Sequence, residues 1–299
     1  MKKNNSRFSS NNKSNQKSSR GPSQGGPRRG GGERALQNGG SRNENQIPRD
    51  WRVIIGTHAI TEVLKVRPKQ IKGMWLRQGW EDSAELRELN DLALAARVKI
   101  EVKASQVLEK FGSSVQGAAA FAEGAPEFDM QGLAELDTSI VLILDGIEDP
   151  HNLGAIVRTS WLTGVDGVLI PEDRAVGLSP IVHKVACGGV EHVPVEETTN
   201  FAKYAEELKE KGYWIFGLSP RGEKSIFDLK LPEKVVWAIG SEDKGMRVTT
   251  ERLCDELVFI PQASASASYN ASVATAMALT ETLRQHASQH ATRENTKKS

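Results

Sequence analysis

The stretch LDGIEDPHNLGAIVRTS, Leu144 to Ser160, decides how the rest of the chain is read. It follows the apolar run Ile140–Leu144, which reads as a buried strand. The turn residues Asp149, Pro150, Asn152 and Gly154 then lead into a helical pattern near Leu153–Leu162. A dinucleotide-binding domain would carry G-x-G-x-x-G directly after its first strand. Here Asn152, Gly154 and Arg158 occupy that place, and the glycine-rich turns come late. A nucleotide-type cofactor is therefore expected at the last strands of the sheet, not at the first.

Reading towards the C-terminus, strands are expected at Gly167–Ile170, His192–Val195, Trp214–Leu218, Val235–Ile239 and Leu257–Ile260. Helices fit near Pro180–Ala186, Phe201–Lys211 and Thr249–Leu253, and a last one over Ala271–His286. This alternation predicts an α/β domain with a mainly parallel sheet covered on both faces. Ligands of such sheets bind at the carboxyl ends of strands. Two more loops there carry unusual residues: GSEDKGMR, Gly240 to Arg247, and PQASASASYNASVATA, Pro261 to Ala276. Each of the three loops alone reads as an ordinary turn, helix start or flexible connector. Together they point to one site.

Reading towards the N-terminus gives a smaller α/β unit. Strands are expected at Arg52–Ile55, Ile71–Leu76, Val98–Val102 and Ala118–Phe121. Helices are expected at Thr57–Lys65, with Thr57 as N-cap, at Ser83–Ala96 through Leu86, Leu89, Leu92 and Leu94, and at Ala104–Lys110. The expected organisation is a disordered basic tail over 1–48, the small domain over 51–123, a linker over 124–138, the large domain over 139–286 and a polar C-terminal tail over 287–299.

The 299 residues are 38% hydrophobic and 26% charged, enough for an ordinary globular core. The net charge of +1 hides an asymmetry: residues 1–50 carry +8 and the remainder −7. The N-terminal segment is Asn, Ser, Gly, Arg and Lys with almost no apolar residue, so it reads either as a solubilising tail or as an RNA-attracting arm. No apolar run approaches the roughly 18 residues of a membrane span, and no secretory signal opens the chain. The two cysteines, Cys187 and Cys254, form no CxxC pair, which points to a reducing cytoplasm. His183 and Cys187 have the i, i+4 spacing of a metal pair, but no second pair follows, so a structural role is expected and no metal. Lys184 reads as a solvated surface lysine, with an RNA-facing role as the alternative.

The three loops resemble the signature motifs of the SpoU/TrmH branch of the SPOUT RNA methyltransferases. Asn152, Gly154 and Arg158 match an N-x-G-x-x-x-R segment; Gly240, Glu242 and Gly245 match G-x-E-x-x-G; Ile260, Pro261, Ser268, Asn270, Ser272, Val273 and Ala274 match I-P…S-x-N-x-S-V-A. The stretch from Ser179 to Val195 is similar to the family's middle region. IIGTHAITEVLK, Ile54 to Lys65, and VQGAAAF, Val115 to Phe121, resemble the substrate-binding domain of the bacterial 23S rRNA guanosine-2′-O-methyltransferases. That domain is itself similar to RNA-binding ribosomal proteins.

The resemblance implies a trefoil-knotted domain that binds S-adenosylmethionine through backbone groups near Gly240, Ile260 and Tyr269. It implies 2′-O-ribose methylation of RNA, with 23S rRNA guanosine as substrate; the alternatives are a tRNA 2′-O-methyltransferase or an inactive RNA-binding member. Arg158 would clamp a phosphate beside the ribose, because a guanidinium holds its proton too tightly to be a good base. Ser268 and Asn270 would orient the hydroxyl or the methionine end, Asn152 would organise the first loop and Glu242 would brace the second. Glu242 also reads as an acid at a helix N-terminus. A homodimer is implied, with Val273, Ala276, Met277 and Leu279 of the last helix as its face; the alternative is that this face packs on its own sheet. Gln262, Ser264, Tyr269 and Ala271 depart from the family pattern, and loss of glycine at 264 bears on the loop's backbone geometry.

Overall fold

The computed structural model describes residues 47–112, 114–264 and 267–297. Most of the segment expected to lack order, up to position 46, lies outside the described residues. Among the described residues no helix is long and apolar enough to cross a membrane.

The N-terminal unit is a four-stranded sheet in the order β1-β4-β2-β3, formed by β1 (Arg52–Ile55), β2 (Ile71–Arg77), β3 (Ile100–Lys103) and β4 (Ala118–Ala122). β4 pairs antiparallel with β1 and β2, while β2 and β3 run parallel. Alanine is a weak strand former, yet Ala118–Ala122 is a central strand buried along its whole length. Packing overrides propensity: Ala118, Ala120 and Ala122 face α1 (Thr57–Val66) and α2 (Ala84–Ala95), whose Ile60, Val63, Leu86 and Leu89 fill that side. On the other face Trp75, Phe111 and Phe121 form an aromatic cluster with α3 (Ser105–Leu108), Trp75 and Phe121 meeting edge-on at 4.7 Å. Ser83 caps α2 as its position suggests. Thr57 is not a cap: Gly56 holds that position, and the Thr57 N–H donates instead to Gln116 Oε1 at 3.1 Å.

The large unit is a seven-stranded sheet in the order β7-β6-β5-β10-β8-β11-β9. Its strands are β5 (Ser139–Asp145), β6 (Gly167–Pro171), β7 (Val195–Thr198), β8 (Trp214–Leu218), β9 (Lys224–Ser225), β10 (Lys234–Gly240) and β11 (Glu256–Phe259). Every pairing is parallel. β5, SIVLILD, is buried throughout, the continuous pattern of a strand covered on both faces. One face carries α5 (Pro150–Thr163), α6 (Pro180–Ala186) and α9 (Ala271–Lys297); the other carries α4 (Met130–Glu135) and α7 (Phe201–Glu210). A short α8 (Val248–Glu251) precedes β11.

Three boundaries differ most from expectation. The strand expected at His192–Val195 begins only at Val195, because a 3-10 turn at Gly189–Glu191 and Pro194 hold the preceding residues out of the ladder. The segment expected as a linker contains α4 and is docked: Leu133 is buried, and the Phe128 ring fills the space where a Cβ on Gly167 would stand. The last helix runs to Lys297, past His286. Polar contacts carry it on, with His286 Nε2 at 2.8 Å from Pro232 O and Gln289 Nε2 donating to Leu231 O at 3.0 Å.

Candidate active site

The three unusual loops leave the carboxyl ends of β5, β10 and β11. β5 and β10 are neighbours, and the chain leaves β5 towards β6 on its other side, so a crevice opens where the order diverges.

Asp149 caps α5 through its side chain, and Pro150 occupies the first turn. This brings Asn152 inward, where it is buried. Asn152 Nδ2 donates to Glu242 Oε1, and Asn152 Oδ1 accepts from Asn270 Nδ2 at 3.0 Å. Asn270 Nδ2 also donates to Glu242 Oε1 at 2.7 Å, and the Ala271 N–H reaches the same oxygen at 3.2 Å. Asn270 Oδ1 accepts from the Ser272 N–H at 2.9 Å, so Asn270 is the N-cap of α9. Asn152, Glu242 and Asn270 are thus one cluster. The two readings of Glu242 merge, since its carboxylate braces its loop and sits at the N-terminus of α9.

A cavity of about 460 Å³ lies beside this cluster, within the usual range for a small-molecule site. Gly240, Ile260 and Tyr269 line it, with Ser268 and Glu242. A Cβ on Gly240 would stand 2.1 Å from Met246 N, so only glycine lets the second loop fold back here. A smaller cavity of about 240 Å³ shares Glu242 and is lined by Asn152. The residues fit a nucleoside-type cofactor: apolar walls such as Leu218 and Ile239 stand with backbone from the second and third loops.

Ser264 takes no positive φ; among the described residues Arg97, Gln116, Arg174 and Cys187 are the non-glycines that do. Replacement of glycine there therefore costs no backbone strain. Tyr269 OH donates to Pro261 O at 3.1 Å and Gln262 Nε2 to Ala267 O at 2.9 Å, so two of the unusual residues tie the third loop to itself.

Arg158 stands apart from this cluster. It is exposed on α5, lines neither cavity, and donates from Nη1 to Cys187 Sγ at 3.4 Å. Gly154 explains the close approach of α5 and α6: a Cβ there would stand 2.6 Å from Val185 Cβ. Of the expected dimer face, Leu279 is fully buried and Met277 packs on the same core, so both serve their own sheet. Among the described residues, the large apolar side chains left exposed on α5 and α9 are Leu162, Val273 and Leu283.

The sequence reading missed Asp145, which is 2% exposed at the end of β5. It accepts from Arg247 Nε at 2.6 Å and from Arg247 N at 2.8 Å, fixing where the second loop ends. A carboxylate closing the run SIVLILD was the available signal.

Residues 139–280 match the SpoU rRNA Methylase family, and residues 53–127 match the RNA 2'-O ribose methyltransferase substrate binding family. A 23S rRNA (guanosine-2'-O-)-methyltransferase RlmB of Shewanella oneidensis is 40% identical over 224 residues, covering 73% of this chain and 91% of the relative. The chain belongs to the SpoU rRNA methylase family. Another relative with the same description, from Neisseria meningitidis serogroup B, is 38% identical over 73% of this chain and 89% of its own. Among solved structures, the SpoU methyltransferase AviRb from Streptomyces viridochromogenes in complex with AdoMet superposes with a TM-score of 0.68 at 21% identity. The superposition covers 80% of this chain and 92% of that one, and shows that this SpoU family member shares its fold.

Proposed function

We propose that the protein transfers a methyl group from S-adenosylmethionine to a ribose 2′-hydroxyl of 23S rRNA, on a guanosine. The observation that carries this reading is the cavity at the ends of β10 and β11, closed by the Asn152–Glu242–Asn270 cluster. It stands in a chain 40% identical to a protein described as a 23S rRNA (guanosine-2'-O-)-methyltransferase. With ribosomal RNA as substrate, the place of action is the cytoplasm.

When bound, the cofactor supplies an electrophilic methyl on a sulfonium. Gly240, Ile260 and Tyr269, which line the cavity, would hold it. Glu242, Asn152 and Asn270 fasten the three loops, so that the site is formed before RNA arrives. Transfer forms one O–C bond, breaks one S–C bond and releases the hydroxyl proton. A guanidinium is a poor base, so the part of Arg158 is to clamp a phosphate and align the ribose, and the proton leaves to a phosphate oxygen or to water. Ser268, on the wall of the cavity, orients the hydroxyl.

We further propose a trefoil knot and a homodimer. The insertion of β10 between β5 and β8, and of β11 between β8 and β9, supports a threaded C-terminal segment. The position of Arg158 outside both cavities of its own chain supports a site completed by a second copy, with Leu162, Val273 and Leu283 at the contact. Light scattering tests the dimer: a monomer at micromolar concentration with full activity overturns it.

A further inference from the structure

The charges at the seam between the small sheet and the large unit are sorted. Its acids are paired. Glu191, with a side chain 1% exposed, is gripped by both terminal nitrogens of Arg52 at 2.7 and 3.2 Å. Glu62 meets His192 Nε2 at 2.9 Å, and His192 stacks on Trp161 with centroids 4.2 Å apart.

Beside these pairs stand three cations, Lys184, Arg158 and Arg77, that have no carboxylate within 4.0 Å among the described residues. Lys184 of α6 is half-buried and has no carboxylate within 4.0 Å among the described residues. Its stem lies on Gly56, where an added Cβ would stand 2.9 Å from Lys184 Cγ and 3.3 Å from Gln116 Oε1. Lys184 and Gln116, one from each unit, therefore converge over a single glycine. Gln116 is held at φ 57, a left-handed conformation uncommon for its type. Its Oε1 is committed to the Thr57 N–H, which leaves only amide N–H groups to offer. One turn along α6 from Lys184, Cys187 receives Arg158. Past Gln116, the stem of Arg77 packs on Gly117, and among the described residues its Nη1 donates to Gln78 O alone, at 3.2 Å.

We propose that Arg77, Gln116, Lys184 and Arg158 form a donor-only track that holds the RNA phosphate backbone as it passes from the N-terminal unit to the methyl-transfer site. This rests on the function proposed above. A lysine whose stem packs on the seam and whose ammonium meets no carboxylate among the described residues can offer its charge to an anion. Donors strung in a line fit a repeating phosphate, and such contacts set register and orientation, not sequence. The paired acids lock the seam, so the track is formed before RNA binds.

The test uses the full-length protein with S-adenosylhomocysteine and an unmodified 23S rRNA transcript, binding being measured across a salt series. Lys184→Gln and Arg77→Gln should each weaken binding several-fold and flatten the slope of log affinity against log salt by about 0.7–0.9. Lys203→Gln, an exposed lysine on α7, should leave the slope at the wild-type value, and all three variants should bind S-adenosylhomocysteine as the wild type does. If Lys184→Gln keeps wild-type affinity and slope while the wild type methylates the transcript, the track is wrong and the proposed function stands. A loss equal to that of Lys203→Gln also overturns it. If the wild type transfers no methyl to RNA, the function falls and the track with it.

Discussion

Asn270 Nδ2 stands 2.7 Å from Glu242 Oε1, a contact across 28 positions of sequence. The same oxygen takes Asn152 Nδ2 and the Ala271 N–H, so all three loops meet at one carboxylate. Glu242→Gln keeps one carbonyl oxygen for these donors but removes the charge that strengthens all three bonds. The expected cost is about 1–3 kcal/mol, or a fall in melting temperature of roughly 2–4 °C per kcal/mol. Affinity for S-adenosylhomocysteine should fall as well, because Glu242 also lines the cavity. Thermal unfolding and calorimetry check both; a variant unchanged in both would mean that Glu242 is no brace.

His183 gives the fold a pH dependence of predictable sign. Burial, with the Arg52 charge second, pushes its imidazole down from 6.5 to about 3. The folded value is depressed, so the unfolded chain takes up the proton first as pH falls. The contribution is present above about 6.5 and is lost as pH falls towards about 3, at about 1.4 kcal/mol per pH unit. His183→Gln should flatten stability against pH between 6.5 and 4.5, measured by denaturant unfolding. Below 4.5, Glu281, whose carboxyl is lowered by its hydrogen bond from Arg284, adds its own loss. An unchanged profile would mean that His183 is protonated in the folded protein.

Arg158 and Asn270 should fail in different ways. Arg158 lies outside the cavity, so Arg158→Ala should abolish methylation and leave calorimetric affinity for S-adenosylhomocysteine intact. Asn270→Ala removes the cap of α9 and two contacts of the cluster, so it should lower both. If the proposed dimer shares its sites, mixing the two inactive variants should restore part of the activity. No recovery from a confirmed mixed dimer would place both residues in one chain's site.

Tyr269→Phe deletes only the bond to Pro261 O. Stability should fall by no more than about 1.5 kcal/mol, the net value of one hydrogen bond. Cofactor affinity should fall up to about tenfold, because the third loop loses its tie beside the cavity. Calorimetry checks this, and unaltered affinity would mean that the tie is incidental.

The sheet was legible where burial writes a continuous apolar run, as in SIVLILD and in Trp214–Leu218. The strand misread at His192 was apolar enough by pattern, but its residues answer to partners far away in sequence, Glu62 and Trp161. The cap at Thr57 failed for the same reason, since its acceptor comes from Gln116. At the candidate site, the residue types and the gathering of Asn152, Glu242 and Asn270 could be expected from their loops. That Asn270 spends its amide on Asn152, Glu242 and Ser272, and that Arg158 stands apart, are products of the chain path, which no local pattern carries.

Methyl transfer to a ribose oxygen of 23S rRNA can be read in its product. The direct measurement incubates the full-length protein with unmodified 23S rRNA and methyl-labelled S-adenosylmethionine, then maps the label by nuclease digestion and mass spectrometry. Label is expected on the 2′-oxygen of a guanosine and should be lost in Arg158→Ala. Label on a base, or none on the rRNA while cofactor binding is intact, would contradict it.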